Sequence, residues 1–263
     1  MMNVLEFRKR KQEGPPISMV TAYDHWSARI VAASEVDCIL VGDSVAMVVH
    51  GHPSTLAATT EMMATHTRAV TRGSGAKFVV ADMPFLSFRK GPEAALDCVG
   101  ELMRAGAHSV KLEGVWGHEE TIIRIVESGV PVMGHLGLTP QSIHRFGGFK
   151  VQGRGDAAAE DLLAQARKLD ELGCFAIVLE CVPSEVAARI TEAVSIPTIG
   201  IGAGARCDGQ VLVLQDLLGM SGEFKPRFLR RYLEGETLLR GALDRFAFTV
   251  REREFPNGQE SYE

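Results

Sequence analysis

Paired cysteines are missing from this 263-residue chain. Its five, Cys38, Cys98, Cys174, Cys181 and Cys207, are odd in number, scattered and never spaced C-x-x-C. That argues against a disulfide framework and for reduced thiols in a cytoplasmic protein. A basic surplus is missing too. Lys and Arg number 28 against 33 Asp and Glu, giving a net charge of -5 and a pI near 5.9. Nucleic acid and anionic membrane are therefore poor candidates for the main partner, and a small molecule is a better one. No apolar run approaches a membrane span and the first ten residues hold no signal-peptide core, so the expectation is a protein neither exported nor embedded. Low-complexity segments and linkers are absent as well. The length suits one barrel of alternating strands and helices and forces no division.

What is present is a series of short apolar runs that end on acid or histidine. Five are Cys38-Ile-Leu-Val-Gly-Asp43, Phe78-Val-Val-Ala-Asp82, Val110-Lys-Leu-Glu113, Val130-Pro-Val-Met-Gly-His135 and Ala176-Ile-Val-Leu-Glu180. Runs of this kind, bounded by Gly or Pro, read as strands covered on both faces, hence strands of a parallel sheet. Eight strand candidates span 17–23, 38–43, 77–83, 109–113, 130–136, 175–181, 197–201 and 210–214. Helix signatures lie between most of them, the clearest over 161–172, where Leu162, Ala166, Leu169 and Leu172 share a face before Gly173. This order points to a (βα)8 barrel, with an open doubly wound sheet as the competitor. After Gly219 the pattern changes. Residues 228–233 and 238–246 read as amphipathic helices of an extension, 219–263, that packs outside the barrel or at a subunit interface.

In a barrel, Asp43, Asp82, Glu113, His135 and Glu180 would converge on the C-terminal face, where barrel enzymes place their chemistry. Asp43, Asp82 and Glu113 would repel one another unless a cation neutralised them, and an all-oxygen set favours Mg²⁺ over zinc. Such an ion could chelate a 2-oxo acid. Lys111 shares a strand face with Glu113 and reads either as a cation for substrate or as a partner that only holds the Glu113 charge. Glu180, flanked by Ile177, Val178, Leu179 and Cys181, reads as a proton-abstracting base with a raised pKa; the alternatives are a helix N-cap anion beside Ser184 or a salt bridge to an arginine. His135 reads as a hydrogen-bond donor to substrate or as a loop residue. His50 and His52 are read as loop histidines, Gly200-Ile-Gly-Ala-Gly204 as a tight backbone approach without nucleotide, and the ten methionines as core filler.

At these residues the chain resembles the ketopantoate hydroxymethyltransferase family. The resemblance runs through Met19-Val-Thr-Ala-Tyr-Asp24, Val41-Gly-Asp-Ser44, Gly51-His-Pro-Ser-Thr-Leu56, Val80-Ala-Asp-Met-Pro-Phe85, Val110-Lys-Leu-Glu-Gly114, Gly134-His-Leu-Gly-Leu-Thr-Pro-Gln141, Gly200-Ile-Gly-Ala-Gly204 and Asp208-Gly-Gln-Val-Leu-Val213. It implies a (βα)8 TIM barrel of the phosphoenolpyruvate/pyruvate type, with extra C-terminal helices, usually assembled as a homodecamer. It implies Mg²⁺ at Asp43, Asp82 and Glu113, and a catalytic base at Glu180. Asp43, Ser44, Asp82, Lys111 and His135 match positions around the oxo acid. The implied reaction carries a one-carbon unit from 5,10-methylenetetrahydrofolate to 3-methyl-2-oxobutanoate, giving 2-dehydropantoate and tetrahydrofolate. Two departures stand out: Val115 where many members have glycine, and Val45-Ala46 where Leu-Gly is common. They bear on loop geometry near the site. The rival readings are a magnesium-dependent carbon–carbon lyase acting on a 2-oxo acid, and a noncatalytic oxo-acid binder. The first often uses a reactive loop cysteine, which is not evident here, and the second leaves Glu180 without a purpose. No residue pattern marks a pterin site.

Overall fold

A computed structural model of the chain describes residues 2–222 and 225–262, which fall into two compact units, 1–213 and 214–263. The first unit is a closed barrel of eight parallel strands. They are β1 (Ile17–Thr21), β2 (Cys38–Val41), β3 (Phe78–Asp82), β4 (Ser109–Glu113), β5 (Val132–Gly137), β6 (Ala176–Glu180), β7 (Thr198–Ile201) and β8 (Gly209–Leu212). Each expected strand is found, with ends shifted by no more than two residues. The open sheet is excluded because β8 pairs with β1, Ile17 opposite Gly209. Glycine suits that seam: a Cβ on Gly209 would lie 2.5 Å from the Ile17 carbonyl oxygen and 2.7 Å from Ile199 Cδ1.

The helices are α1 (Val4–Glu13), α2 (His25–Ala32), the short α3 (Val45–Val48), α4 (Thr60–Gly73), α5 (Pro92–Arg104), α6 (Glu119–Glu127), the short α7 (Ile143–Phe146), α8 (Asp156–Glu171) and α9 (Ser184–Ala193). The loop from β7 to β8 carries no helix among the described residues. There Gly204, at φ +86°, lets the backbone approach Ser184, where a Cβ would meet the serine Cβ at 2.6 Å. That is the close approach expected of this glycine run. Helix α1, absent from the sequence reading, starts at Asn3, whose side chain accepts from Glu6 N at 2.9 Å. Its single buried residue, Phe7, joins Phe78 and Phe175 at ring-centroid distances of 5.6 and 5.1 Å, in a cluster with Ile17, Met19, Met133 and Val211. Each such ring contributes about 1.5–3 kcal/mol by burial.

The second unit holds α10 (Leu214–Leu217) and α11 (Gly235–Arg251). The helix expected over 228–233 is not formed. A turn closed by Leu229 N–H to the Pro226 carbonyl stands there, and the N–H groups of Tyr232 and Gly235 pair with the carbonyls of Leu217 and Leu218, so they are not available to a local helix. No helix of the described residues is long and apolar enough to cross a membrane.

Candidate active site

The barrel register sets the site. Asp82 on β3 lies opposite Lys111 on β4, Glu113 opposite His135 on β5, and Gly137 opposite Glu180 on β6. Asp43, two residues past the end of β2, joins them: its N–H donates to Asp82 Oδ2 at 3.0 Å. Asp43, Asp82, Lys111, Glu113 and His135 are all buried, each at 3–4% exposure. Such burial is costly for charges unless they are paired.

The pairing is specific. Lys111 Nζ lies 3.0 Å from Asp82 Oδ1 and 3.3 Å from His135 Nδ1. The lysine's salt bridge is thus to Asp82 rather than to Glu113. Burial alone would lower the lysine pKa, but Asp82, Glu113 and Asp43 outweigh it and push it up to about 12. His135 bridges two carboxylates. Its Nδ1 is 3.4 Å from Glu113 Oε1 and its Nε2 is 3.2 Å from Glu180 Oε2, the latter close but out of line for a hydrogen bond. Burial and Lys111 lower its pKa, and Glu113 and Glu180 reverse this, raising it to about 8. Asp43 titrates well above the usual carboxylate range, first because it is buried and then because Asp82 and Glu113 repel its charge.

Glu180 differs from its expected setting. Its strand neighbours are apolar, yet its side chain is 19% exposed and turns to His135. Helix α9 has no side-chain cap hydrogen bond, and no arginine forms a salt bridge with Glu180 among the described residues. The next residue, Cys181, is held at φ 49°, a conformation costing a non-glycine residue roughly 1–2 kcal/mol. Two backbone hydrogen bonds fix it there, Cys181 N–H to the Ile201 carbonyl and Gln152 N–H to the Cys181 carbonyl.

Gln141 and Tyr23 were given no role by sequence reasoning, although both lie inside the family motifs. Gln141, in a 3₁₀ turn after β5, donates from Nε2 to Asp43 Oδ2 at 2.8 Å and to the Met83 carbonyl at 2.9 Å, while its N–H reaches Glu113 Oε2 at 3.0 Å. The Tyr23 hydroxyl lies 2.8 Å from Ser44 Oγ, and burial pushes its pKa up. Ser44 is the residue before α3, where the departures Val45 and Ala46 are fully buried. His50 Nε2 lies 2.8 Å from His66 Nε2, and His66 Nδ1 lies 2.6 Å from the Tyr23 carbonyl oxygen.

Three carboxylates share one buried cluster with a single lysine. Asp82 Oδ1 has no aligned hydrogen-bond donor even with Lys111 beside it. Among the described residues no three His, Cys, Asp or Glu side chains already stand at metal-ligand spacing. The donors are nonetheless all oxygen and underneutralised, which fits a hard divalent ion that keeps several waters.

A sequence model of the ketopantoate hydroxymethyltransferase family matches residues 1–258. The chain belongs to the ketopantoate hydroxymethyltransferase family. A relative from Bdellovibrio bacteriovorus, named 3-methyl-2-oxobutanoate hydroxymethyltransferase, is 55% identical over 262 residues, 100% of both chains. One of the same name from Coxiella burnetii is 54% identical over 257 residues, 97% of each. Among solved structures, phosphonopyruvate hydrolase in complex with oxalate and Mg²⁺ superposes with a TM-score of 0.64, covering 99% of this chain and 93% of that one. At 11% identity, that likeness extends to the fold alone.

Proposed function

We propose that the protein transfers a one-carbon unit from 5,10-methylenetetrahydrofolate to C3 of 3-methyl-2-oxobutanoate, giving 2-dehydropantoate and tetrahydrofolate. Family membership supplies the reaction. The observation that carries it in this chain is Glu180: a carboxylate at a strand end, 3.2 Å from His135 Nε2, beside a buried cluster of three acids and a lysine. Asp43, Asp82 and Glu113 would hold Mg²⁺, which when bound supplies the positive charge that makes the C3 hydrogen of a 2-oxo acid more acidic. Lys111 adds a fixed cation against the charge that develops on the oxo acid. Glu180 takes the C3 proton, and His135 orients its carboxylate. Ser44, held by Tyr23, offers a hydroxyl to the substrate. The new C3–CH₂ bond takes its carbon from the folate, water supplies the hydroxyl, and the folate nitrogens keep the electrons of the broken C–N bonds.

Five free thiols suit a reducing compartment, and we place the chain in the cytoplasm. Helix α11 exposes Leu239, Leu243, Phe246 and Val250 on one side at 45–67%, an apolar face that fits a homo-oligomer, with the decamer of the family as the expected form. The test of function is direct. With 3-methyl-2-oxobutanoate, Mg²⁺ and methylenetetrahydrofolate, 2-dehydropantoate should accumulate; cleavage of a 2-oxo acid without folate would favour a lyase instead.

A further inference from the structure

Next to the carboxylate cluster lies a cavity of about 260 Å³ that the oxo-acid chemistry does not use. Arg89 and Arg145 both line it, and neither forms a salt bridge with an acidic side chain among the described residues. Arg89 Nη2 donates to the Glu113 backbone carbonyl at 3.2 Å, which places the cavity beside the end of the strand that carries Glu113. Partial burial lowers the Arg89 pKa and the Arg145 charge adds to this, while Glu113 opposes it. Two guanidinium groups that repel each other across one cavity, in an acidic protein, are not explained by the fold. They suit an anionic ligand.

The rest of the lining suits one that also carries a heterocyclic ring. Trp116 is 45% exposed, and its Nε1 donates to Asp161 Oδ1 at 3.2 Å, while Gln165 Nε2 donates to Asp161 Oδ2 at 2.7 Å. The Asp161 bond ties the indole to the cavity wall, and Phe146 lines the same cavity, so two aromatic side chains are available to a ring-bearing ligand. A reduced folate combines both chemistries, a bicyclic pterin whose pyrimidinone half is planar and a glutamate dianion. We infer that this cavity docks the reduced folate, its ring system inside against Trp116 and Phe146 and its glutamate carboxylates on Arg145 at the exposed rim. The volume accommodates the ring end, with the tail reaching toward solvent at Arg145, which is exposed.

The inference rests on the folate-dependent reading above, and the experiment separates the two. Calorimetric titration with tetrahydrofolate and with 6-methyltetrahydropterin, which lacks the glutamate, is run on wild type, Arg145→Met and Trp116→Leu. Arg145→Met should weaken tetrahydrofolate by about tenfold or more, flatten its salt dependence and leave the pterin within about twofold, because one charge-assisted contact is lost. Trp116→Leu should weaken both ligands. Deuterium exchange at C3 of the oxo acid, measured without folate, should stay within about threefold of wild type in both variants. Tetrahydrofolate affinities within about twofold of wild type in both variants would overturn the docking site while leaving the reaction standing. Equal weakening of pterin and tetrahydrofolate by Arg145→Met would overturn the role of Arg145, and loss of exchange would assign the cavity to the oxo acid. A wild-type protein that exchanges the C3 hydrogen but neither binds tetrahydrofolate nor forms 2-dehydropantoate would overturn both readings.

Discussion

Replacing Lys111 by methionine removes the one lysine from a cluster of three buried carboxylates and keeps nearly the same shape. The ammonium is 4% exposed and 3.0 Å from Asp82 Oδ1, so solvent does little to screen it. Its pKa, raised from 10.5 to about 12 after the burial penalty is included, corresponds to roughly 2 kcal/mol of net favourable interaction. Losing one partner of a buried pair costs more, typically about 3–5 kcal/mol, because the remaining charges stay buried. The pH dependence has a definite sign. Asp43 already titrates above its unfolded value of 3.8, and removing Lys111, which lowers it, raises it further. A carboxylate whose folded pKa is raised stabilises the fold below its unfolded pKa and loses that contribution as pH rises through the folded value. The Lys111→Met deficit should therefore be smaller at pH 5 than at pH 8, where it should reach about 3–5 kcal/mol. Mg²⁺ at a hundred times its Kd should restore about 2.7 kcal/mol if the variant retains the site. Urea unfolding at both pH values, with and without Mg²⁺ and at fixed protein concentration, measures this. A pH 8 deficit under about 1 kcal/mol, or a larger deficit at pH 5 than at pH 8, would refute the argument.

Gln141→Leu removes the donor to Asp43 Oδ2 and the Met83 carbonyl while keeping the backbone N–H that reaches Glu113, and it should weaken Mg²⁺ by about ten- to a hundredfold in calorimetry. An unchanged affinity would show that Gln141 does not orient the ligands. Light scattering on a size-exclusion column should give a particle well above the 28.5 kDa chain mass. Glutamates in place of Leu239, Leu243 and Phe246 should shrink that particle, whereas a wild-type monomer would contradict the role given to the exposed face of α11.

The barrel was legible because buried parallel strands are written as continuous apolar runs, and all eight lie where such runs occur. Helix α1 was not. Only Phe7 of its ten residues is buried, so it carries no apolar stripe, and its stability comes from one aromatic anchor and the Asn3 cap. Residues 228–233 erred the other way, with a helix-like pattern whose backbone groups are taken by α10. At the site, Asp82, Lys111, Glu113 and His135 could be placed together from strand ends and the two-residue period alone. Gln141, Arg89 and Tyr23 could not, because their contacts come from loops and side-chain reach across neighbouring strands. Glu180 sits between these cases: its position followed from the strand end, but its apolar neighbours along the chain did not reveal that the carboxylate turns to His135.

The central claim is that Glu180 removes the C3 proton of 3-methyl-2-oxobutanoate before the carbon–carbon bond forms. Proton NMR in D₂O, with Mg²⁺ and no folate, reads that step alone. Wild-type protein should exchange the C3 hydrogen, and Glu180→Gln should still bind the oxo acid but exchange about a hundred- to ten-thousandfold more slowly. A glutamine variant exchanging within about threefold of wild type would contradict the account and assign the proton to another group.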